Sequence, residues 1–277
     1  MQHPNIWMPL AFLCAASAAS AQWLDFKAPG TPRTRDGKPN LSAPVPRASN
    51  GKPDLTGIWQ AEGAPFKELV KYEPGGVNGL GEDDPSQYFF NVLTDFKPEE
   101  SPLQPAAAAA YRKKAFAPPS VMSLCQPPAT PMADALPVPF KIVQTPGLVL
   151  LLYEADTFFR QVFIDGRKHP VDPQPSWLGY SVGRWEGDSL VVESMGFTDR
   201  SPLDVIGHPH SDAMRVTERF HRVNFGRMDV QVTIDDPKTY TKPFTYTLSE
   251  RLLPDTDLIE GFCVEDEKDT AHMAAGH

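Results

Sequence analysis

Cysteine and positive charge are both scarce in this sequence. The 277 residues include 3 cysteines, and 26 Lys and Arg against 35 Asp and Glu give a formal net charge of −9. This charge disfavours nucleic acid as a partner, because phosphates require a basic face. It also disfavours anionic membrane surfaces. No hydrophobic run is long enough to cross a bilayer, so we expect no transmembrane segment.

Charged side chains are missing altogether from the first 21 residues. An apolar stretch over 6–19 ends in Ala19-Ser20-Ala21, the small-x-small pattern at which signal peptidase cuts. We therefore predict a signal peptide over residues 1–21 and a periplasmic or secreted mature protein. The alternative is a short membrane anchor, which would need a longer apolar run and a basic flank.

Two cysteines remain once Cys14 leaves with the signal peptide. In an oxidising compartment, the even pair Cys125 and Cys263 is most simply a disulfide. A nucleophilic or metal-binding cysteine would need partners close in sequence, and neither residue has a CxxC pattern or a neighbouring His.

Proline divides the mature chain into regions of different character. Residues 22–50 are rich in proline and charge and predict a flexible arm. A Gly-Lys-Pro-(Asn/Asp)-Leu-(Ser/Thr) repeat occurs at 37–42 and at 51–56. We expect one β-barrel-like domain over 51–265 and a disordered tail over 266–277.

Beyond Phe140 the sequence is dominated by β-forming residues that are separated by short turns. Short connections between strands favour antiparallel neighbours. The predicted fold is therefore all-β, an antiparallel meander that closes into a barrel or sandwich, with one short helix at Pro105–Phe116 and Pro-rich loops. Strands are predicted near 140–145, 148–154, 158–164, 179–185, 189–195, 214–222, 228–235, 244–252 and 257–264.

Several motifs carry resemblances to known proteins. The Gly-x-Trp at Gly57–Trp59 is similar to the first strand of lipocalin-type (calycin) barrels. The chain also resembles a group of uncharacterised secreted bacterial β proteins with a GKPDLxGIW start, a WLGYSVGxWEGD hairpin and a GHPHS loop, here at 51–59, 177–188 and 207–211. This resemblance implies export and a β fold, and it carries no activity.

The segment Gly179–Gly183 matches the G-x-S-x-G pattern of serine hydrolases. That chemistry needs a strand, a strained turn and then a helix, whereas a hairpin follows here. We therefore predict that Ser181 is not a nucleophile. The residues that would complete a Ser…Asp…His order are Asp199 or Asp204 and His208 or His210.

The segment 196–213 is the long polar loop of the second half, and it contains His208 and His210. On a strand, residues two apart share a face, so both imidazoles could ligate one metal, most commonly zinc. The third ligand would be Glu218, His221 or Asp199. Gly207 and Pro209 instead favour a polar loop with one His bonded to backbone, and no cofactor is required.

Three glutamates lie on otherwise apolar strand faces, namely Glu218, Glu250 and Glu260. A carboxyl group among inward apolar side chains must either pair with a cation or keep its proton. A structural network with Arg160, Arg184 or Arg215 is the favoured outcome. The other is a raised pKa suited to general acid or base work.

The leading functional hypothesis is a small-molecule site at one mouth of the barrel. We expect the His loop to fold back so that His210 meets Glu218, and the reaction would be a lyase, isomerase or hydrolase step on a small, aromatic compound. The alternatives are a non-catalytic ligand carrier and a cell-envelope interaction module. The predicted catalytic residues are His210, Glu218 and Asp199, and the predicted substrate contacts are Trp177, Tyr180, Arg215 and Arg219.

Overall fold

A computed structural model describes residues 27–65, 85–114 and 126–262, and it confirms the all-β barrel. Nine strands form one closed barrel in chain order. The strands are β1 Gly57–Ala61, β2 Phe140–Gln144, β3 Leu148–Tyr153, β4 Phe159–Phe163, β5 Tyr180–Glu186, β6 Ser189–Met195, β7 Arg215–Arg222, β8 Arg227–Asp235 and β9 Phe244–Leu252.

Alternation of apolar and polar residues decides which side chains enter the barrel. In β8, Met228, Val230, Val232 and Ile234 are all 0% exposed, whereas the residues between them face outwards or lie half-buried. Successive side chains of a strand point to opposite faces, so a period of two places one whole set in the core. The same period carries Glu218 and Glu250 inwards.

Two features of the sheet differ from a simple antiparallel meander. Strands β4 and β5 pair in parallel, and residues 164–179 form the crossover that such a pair requires. The strand predicted at 257–264 is absent from the described residues up to 262. The barrel is closed instead by β1, which pairs with β9 through Trp59 and Leu252.

Short helices accompany the barrel. Helix α1 spans Gln87–Phe90, helix α2 spans Pro105–Lys114, and 3₁₀ turns occur at Pro98–Glu100 and Met132–Ala135. The helix predicted from Pro105 is confirmed as far as Lys114. Within the three described ranges, no helix has the length and apolar character needed to span a membrane.

The described part of the predicted arm lies against one end of the barrel. Both copies of the sequence repeat form a turn, and each turn places an arginine on an aspartate of the barrel end: Arg33 on Asp255 at 2.5 Å and Arg47 on Asp188 at 2.7 Å. We call this end, which carries the β5–β6 turn, the arm end. The opposite end carries the connections 196–214 and 236–243 and is called the loop end.

The apolar part of the barrel interior is tightly packed. The space between its side chains leaves no room for a water molecule, which makes this part a packed core. Its lining residues are Leu55, Ile142, Val149, Leu151, Val162, Leu190, Val192 and Phe220.

Candidate functional site

A buried ion pair crosses the barrel interior between β4 and β7. Arg160 is 2% exposed and Glu218 is 0% exposed. The guanidinium donates to both carboxylate oxygens, with Nη1 3.0 Å from Oε1 and a second bond from Nη2 to Oε2. The structural pairing predicted for Glu218 with Arg160 is therefore confirmed, and the two-bond geometry is the strong form of this contact.

Two serines complete the hydrogen bonds of Arg160. Its Nε donates to Ser181 Oγ at 3.1 Å and its Nη2 to Ser194 Oγ at 2.9 Å, while the two hydroxyls lie 2.8 Å apart. Ser181 is 1% exposed on a strand that leads into a hairpin. Its hydroxyl thus belongs to a buried network, and the strand-turn-helix context of a nucleophilic serine is not formed.

A second acid enters the cluster from the loop end. Asp134, in the 3₁₀ turn Met132–Ala135, lies 3.3 Å from Arg160 Nη1 and accepts a hydrogen bond from the Tyr153 hydroxyl. Burial raises the pKa of Asp134 well above its ordinary value, the charge of Glu218 raises it further, and Arg160 only partly opposes both effects. One guanidinium therefore serves two carboxyl groups, and Asp134 is the one that keeps its proton.

Glu250 is a third buried acid, and it differs from the other two. It is 0% exposed on the inner face of β9, and within the described residues neither of its oxygens has a hydrogen-bond partner. Burial raises its pKa well above 4.5, and Asp134 and Glu62 raise it further. Glu260, in contrast, lies exposed outside the barrel, so its predicted inward position is wrong.

Replacing Glu250 with Leu is expected to stabilise the barrel by about 1–3 kcal/mol at neutral pH, because an unpartnered buried polar group is removed. The folded state holds the Glu250 proton more tightly than the unfolded chain does. Stability from this group is therefore lost as pH rises above about 4.5. Urea denaturation of both proteins at pH 4.5 and pH 8 measures the gain, which should be larger at pH 8. A variant less stable than the native protein at pH 8 would contradict the assignment.

A second constellation lies at the loop end and joins His208 to Asp204. His208 Nδ1 is 2.5 Å from Asp204 Oδ2. The carboxylate is itself fixed by backbone N–H groups of Val92, Gly207 and His208 at 2.9, 2.9 and 3.0 Å. An acceptor held this firmly selects the imidazole tautomer with its proton on Nδ1.

The other nitrogen of His208 is not fully enclosed, although the residue is 5% exposed. Nε2 makes no hydrogen bond within the described residues and is not among the buried atoms that lack one, and the side chain is 7% exposed. The Tyr111 ring of α2 stacks on the imidazole, with centroids 4.8 Å apart. Burial and the Asp204 charge raise the pKa of Tyr111, which keeps its hydroxyl neutral. The result is an oriented imidazole with an accessible lone pair.

His210 has a different environment, although it is only two residues away. Its Nδ1 lies 3.1 Å from the Ser211 carbonyl oxygen, while its Nε2 is buried without a partner among the described residues. Burial lowers the pKa of His210, so the ring is neutral. The expected contact between His210 and Glu218 is not formed as a hydrogen bond, because Nδ1 is directed at the Ser211 carbonyl oxygen and Nε2 has no partner among the described residues.

The remaining predicted polar site residues are exposed or have partners on the outer face of the barrel. Asp199 is exposed, and Arg215 is exposed beside Met195 Sδ at 3.9 Å. Arg219 forms a 2.6 Å ion pair with Glu186 outside the barrel.

The two predicted aromatic contacts also have partners away from the interior. Tyr180 stacks on Phe163 at 5.3 Å, and Trp177 lies under the Arg200 guanidinium at 4.8 Å. Alternation explains Tyr180, because Ser181 faces inwards and its neighbour must face outwards.

The structure describes the predicted metal ligands but not the two cysteines of the predicted disulfide. In the part of the chain that the structure describes, no group of three or more His, Cys, Asp or Glu side chains is arranged to hold a metal ion. Cys125 and Cys263 lie outside the described residues, as do the predicted signal peptide and tail.

The sequence analysis named both Asp204 and His208 as candidates but did not predict that they pair. Their spacing of four residues around Gly207 could have indicated the pair, because a tight turn there brings the carboxylate back to the ring. Asp134 and Tyr153 were missed, because nothing local marks a residue whose partner lies across the barrel.

Comparison with known proteins adds no family assignment. No model of a protein family matches this chain, and no curated protein is found to be similar to it. The fold and the two polar clusters, around Arg160 and around Asp204 and His208, are therefore the basis for a functional proposal.

Proposed function

We propose that this protein is exported and performs acid–base chemistry on a small, aromatic compound at the loop end of its barrel. His208 is the proposed base and Asp204 the residue that positions it. The observation that carries the proposal is the 2.5 Å contact between His208 Nδ1 and Asp204 Oδ2, together with the accessible Nε2.

The chemistry follows from the tautomer. With its proton on Nδ1 and directed at Asp204, neutral His208 accepts a proton at Nε2, and the carboxylate then stabilises the imidazolium. Proton transfer of this kind supports a lyase, isomerase or hydrolase step.

The surroundings of the imidazole support an aromatic substrate. Partly exposed Tyr111 places an aromatic ring on the face of the His208 imidazole, and offset stacking of aromatic groups contributes to recognition. Export is proposed from the sequence of residues 1–21, which resembles a signal peptide.

A carrier without turnover is the alternative, and a specific observation favours it. Glu250 places two oxygens inside the barrel that have no partner among the described residues, and lipocalin-type proteins hold their ligands in the barrel interior. The two functions differ in one readout, because a carrier retains its ligand unchanged and an enzyme releases product.

Reaction of the protein with diethyl pyrocarbonate tests whether His208 Nε2 is a free base. We expect His208 to be modified faster than His210, whose Nε2 is buried, and Asp204→Asn to slow that modification because the tautomer is no longer fixed. Peptide mass spectrometry gives the rate at each residue, and ¹⁵N NMR of the imidazoles reports the tautomer. Exposed His221 is the internal reference. Equal rates at His208 and His210, or a proton found on Nε2, would overturn the assignment.

A further inference from the structure

The described barrel interior contains more acid than base. Asp134, Glu218 and Glu250 are all buried there, and Arg160 is the basic side chain that pairs with Asp134 and Glu218. Each donor atom of Arg160 already has a partner among Glu218, Asp134 and the two serines. All donor atoms of the guanidinium are therefore in use, and none is left to donate to Glu250.

The neighbours of Glu250 do not satisfy it either. Its cross-strand partners are Ala61 on β1 and Met228 on β8, and neither side chain carries a hydrogen-bond donor. The next residue, Arg251, lies on the opposite face of β9 and donates to Gln60 Oε1 at 2.6 Å. Natural proteins rarely leave both oxygens of a buried carboxyl group without a hydrogen bond. A bound molecule that donates hydrogen bonds would explain such a group.

The electrostatic surroundings define the charge of that partner. Glu62, which follows β1 and is exposed, and buried Asp134 both lie close enough to disfavour ionisation of Glu250. A cation forms charge-assisted bonds with Glu250 once that group releases its proton, and exposed Glu62 adds a weaker, screened attraction, whereas a neutral molecule gains only hydrogen bonds and an anion is repelled. Ala61, with a single methyl group, is the residue directly opposite the carboxyl group.

We infer that the barrel interior beside Glu250 binds a small planar organic cation with two N–H groups on one edge, an amidinium or a guanidinium. Two parallel N–H···O bonds to Oε1 and Oε2 would satisfy both unpartnered oxygens at once, the geometry that carboxylates adopt with such groups. The site is separate from Asp204 and His208, so it does not rest on the proposed acid–base function, and it shares the Glu250 oxygens with the carrier alternative.

Isothermal titration with acetamidinium and with acetamide tests this inference, because the two probes share their shape and differ in charge. We expect saturable binding of acetamidinium and at least about tenfold weaker binding of acetamide. Glu250→Gln keeps the shape and removes the charge, and we expect it to weaken acetamidinium binding by at least about thirtyfold. Glu99→Gln, on the exposed 3₁₀ turn, is the matched control and should bind as the native protein does.

If Glu250→Gln fails to fold, a measurement on the native protein tests the inference instead. The ¹³C signal of the Glu250 carboxyl group in the native protein should shift from the neutral towards the ionised form as acetamidinium is added. Equal binding of acetamide and acetamidinium, undiminished binding to Glu250→Gln, or an unchanged Glu250 signal would each overturn the inference. Satisfaction of Glu250 by ordered water alone would appear as no binding of either probe, which overturns it as well.

Discussion

Replacing Arg160 with Met is expected to destabilise the barrel by about 3–5 kcal/mol, the cost of leaving an unpaired charge in a protein interior. The guanidinium is enclosed and donates to both oxygens of Glu218. Met preserves most of the volume but none of the donors, so Glu218 must take up a proton or remain uncompensated. The hydroxyls of Ser181 and Ser194 lose the same partner.

The double variant Arg160→Met/Glu218→Leu separates the broken pair from the loss of packing. Because an apolar replacement of a whole buried ion pair is often neutral, we expect it to recover most of the stability. Arg184→Met is the control, since Arg184 pairs with Glu186 and Glu193 on the outer surface and should cost at most about 1 kcal/mol. Guanidinium denaturation gives the three values. A single variant as stable as the control would show that the Arg160–Glu218 pair is not a buried ion pair.

Replacing His208 with Ala is expected to lower turnover by about 10²–10⁴-fold, the usual contribution of a positioned general base. The loss follows from the geometry, because Nε2 is the accessible proton acceptor of the Asp204–His208 pair. The measurement uses the compound that the native protein turns over fastest in a panel of small aromatic esters, lactones and enolisable ketones. The loss should fall on kcat, with KM changed little.

Controls for His208 distinguish chemistry from structure. His221→Ala changes an exposed imidazole on β7 and should retain full turnover. Asp204→Asn should also lower kcat, because the imidazolium that forms in the reaction loses its stabilising charge. If His208→Ala turns over as fast as the native protein, the base lies elsewhere. If the native protein binds members of the panel and turns over none, the carrier is the correct reading.

The agreement between sequence and structure is strongest where a local pattern suffices. The period of two in β8 and β9 places every inward side chain correctly, including the unusual Glu250. Turn residues such as Gly187 mark the hairpins, where a positive φ of 59° is observed. The strand predicted at 257–264 is not formed over its described residues 257–262, because they follow the turn at Asp255 and leave the sheet, where β1 has already taken the place beside β9.

The candidate site was less predictable, because its contacts join residues that are distant along the chain. Asp134 meets Arg160 only because a 3₁₀ turn enters the loop end of the barrel. Alternation also misleads at the mouth, where Tyr180 and Arg219 come near the expected site in sequence yet face outwards. Whether a carboxylate holds the imidazole of His208 or that of His210 depends on how the loop folds, and sequence spacing alone does not determine this.

The sequence by itself determined the positions of most strands, the inward face of each long strand and the presence of carboxyl groups within an apolar interior, since these depend on a periodicity that is read locally. The tertiary structure alone decided which acid pairs with Arg160, which keeps its proton, and which imidazole is held by Asp204. The reason is physical: a hydrogen bond or ion pair depends on ångström-scale distances between strands and loops, and only closure of the barrel fixes those distances.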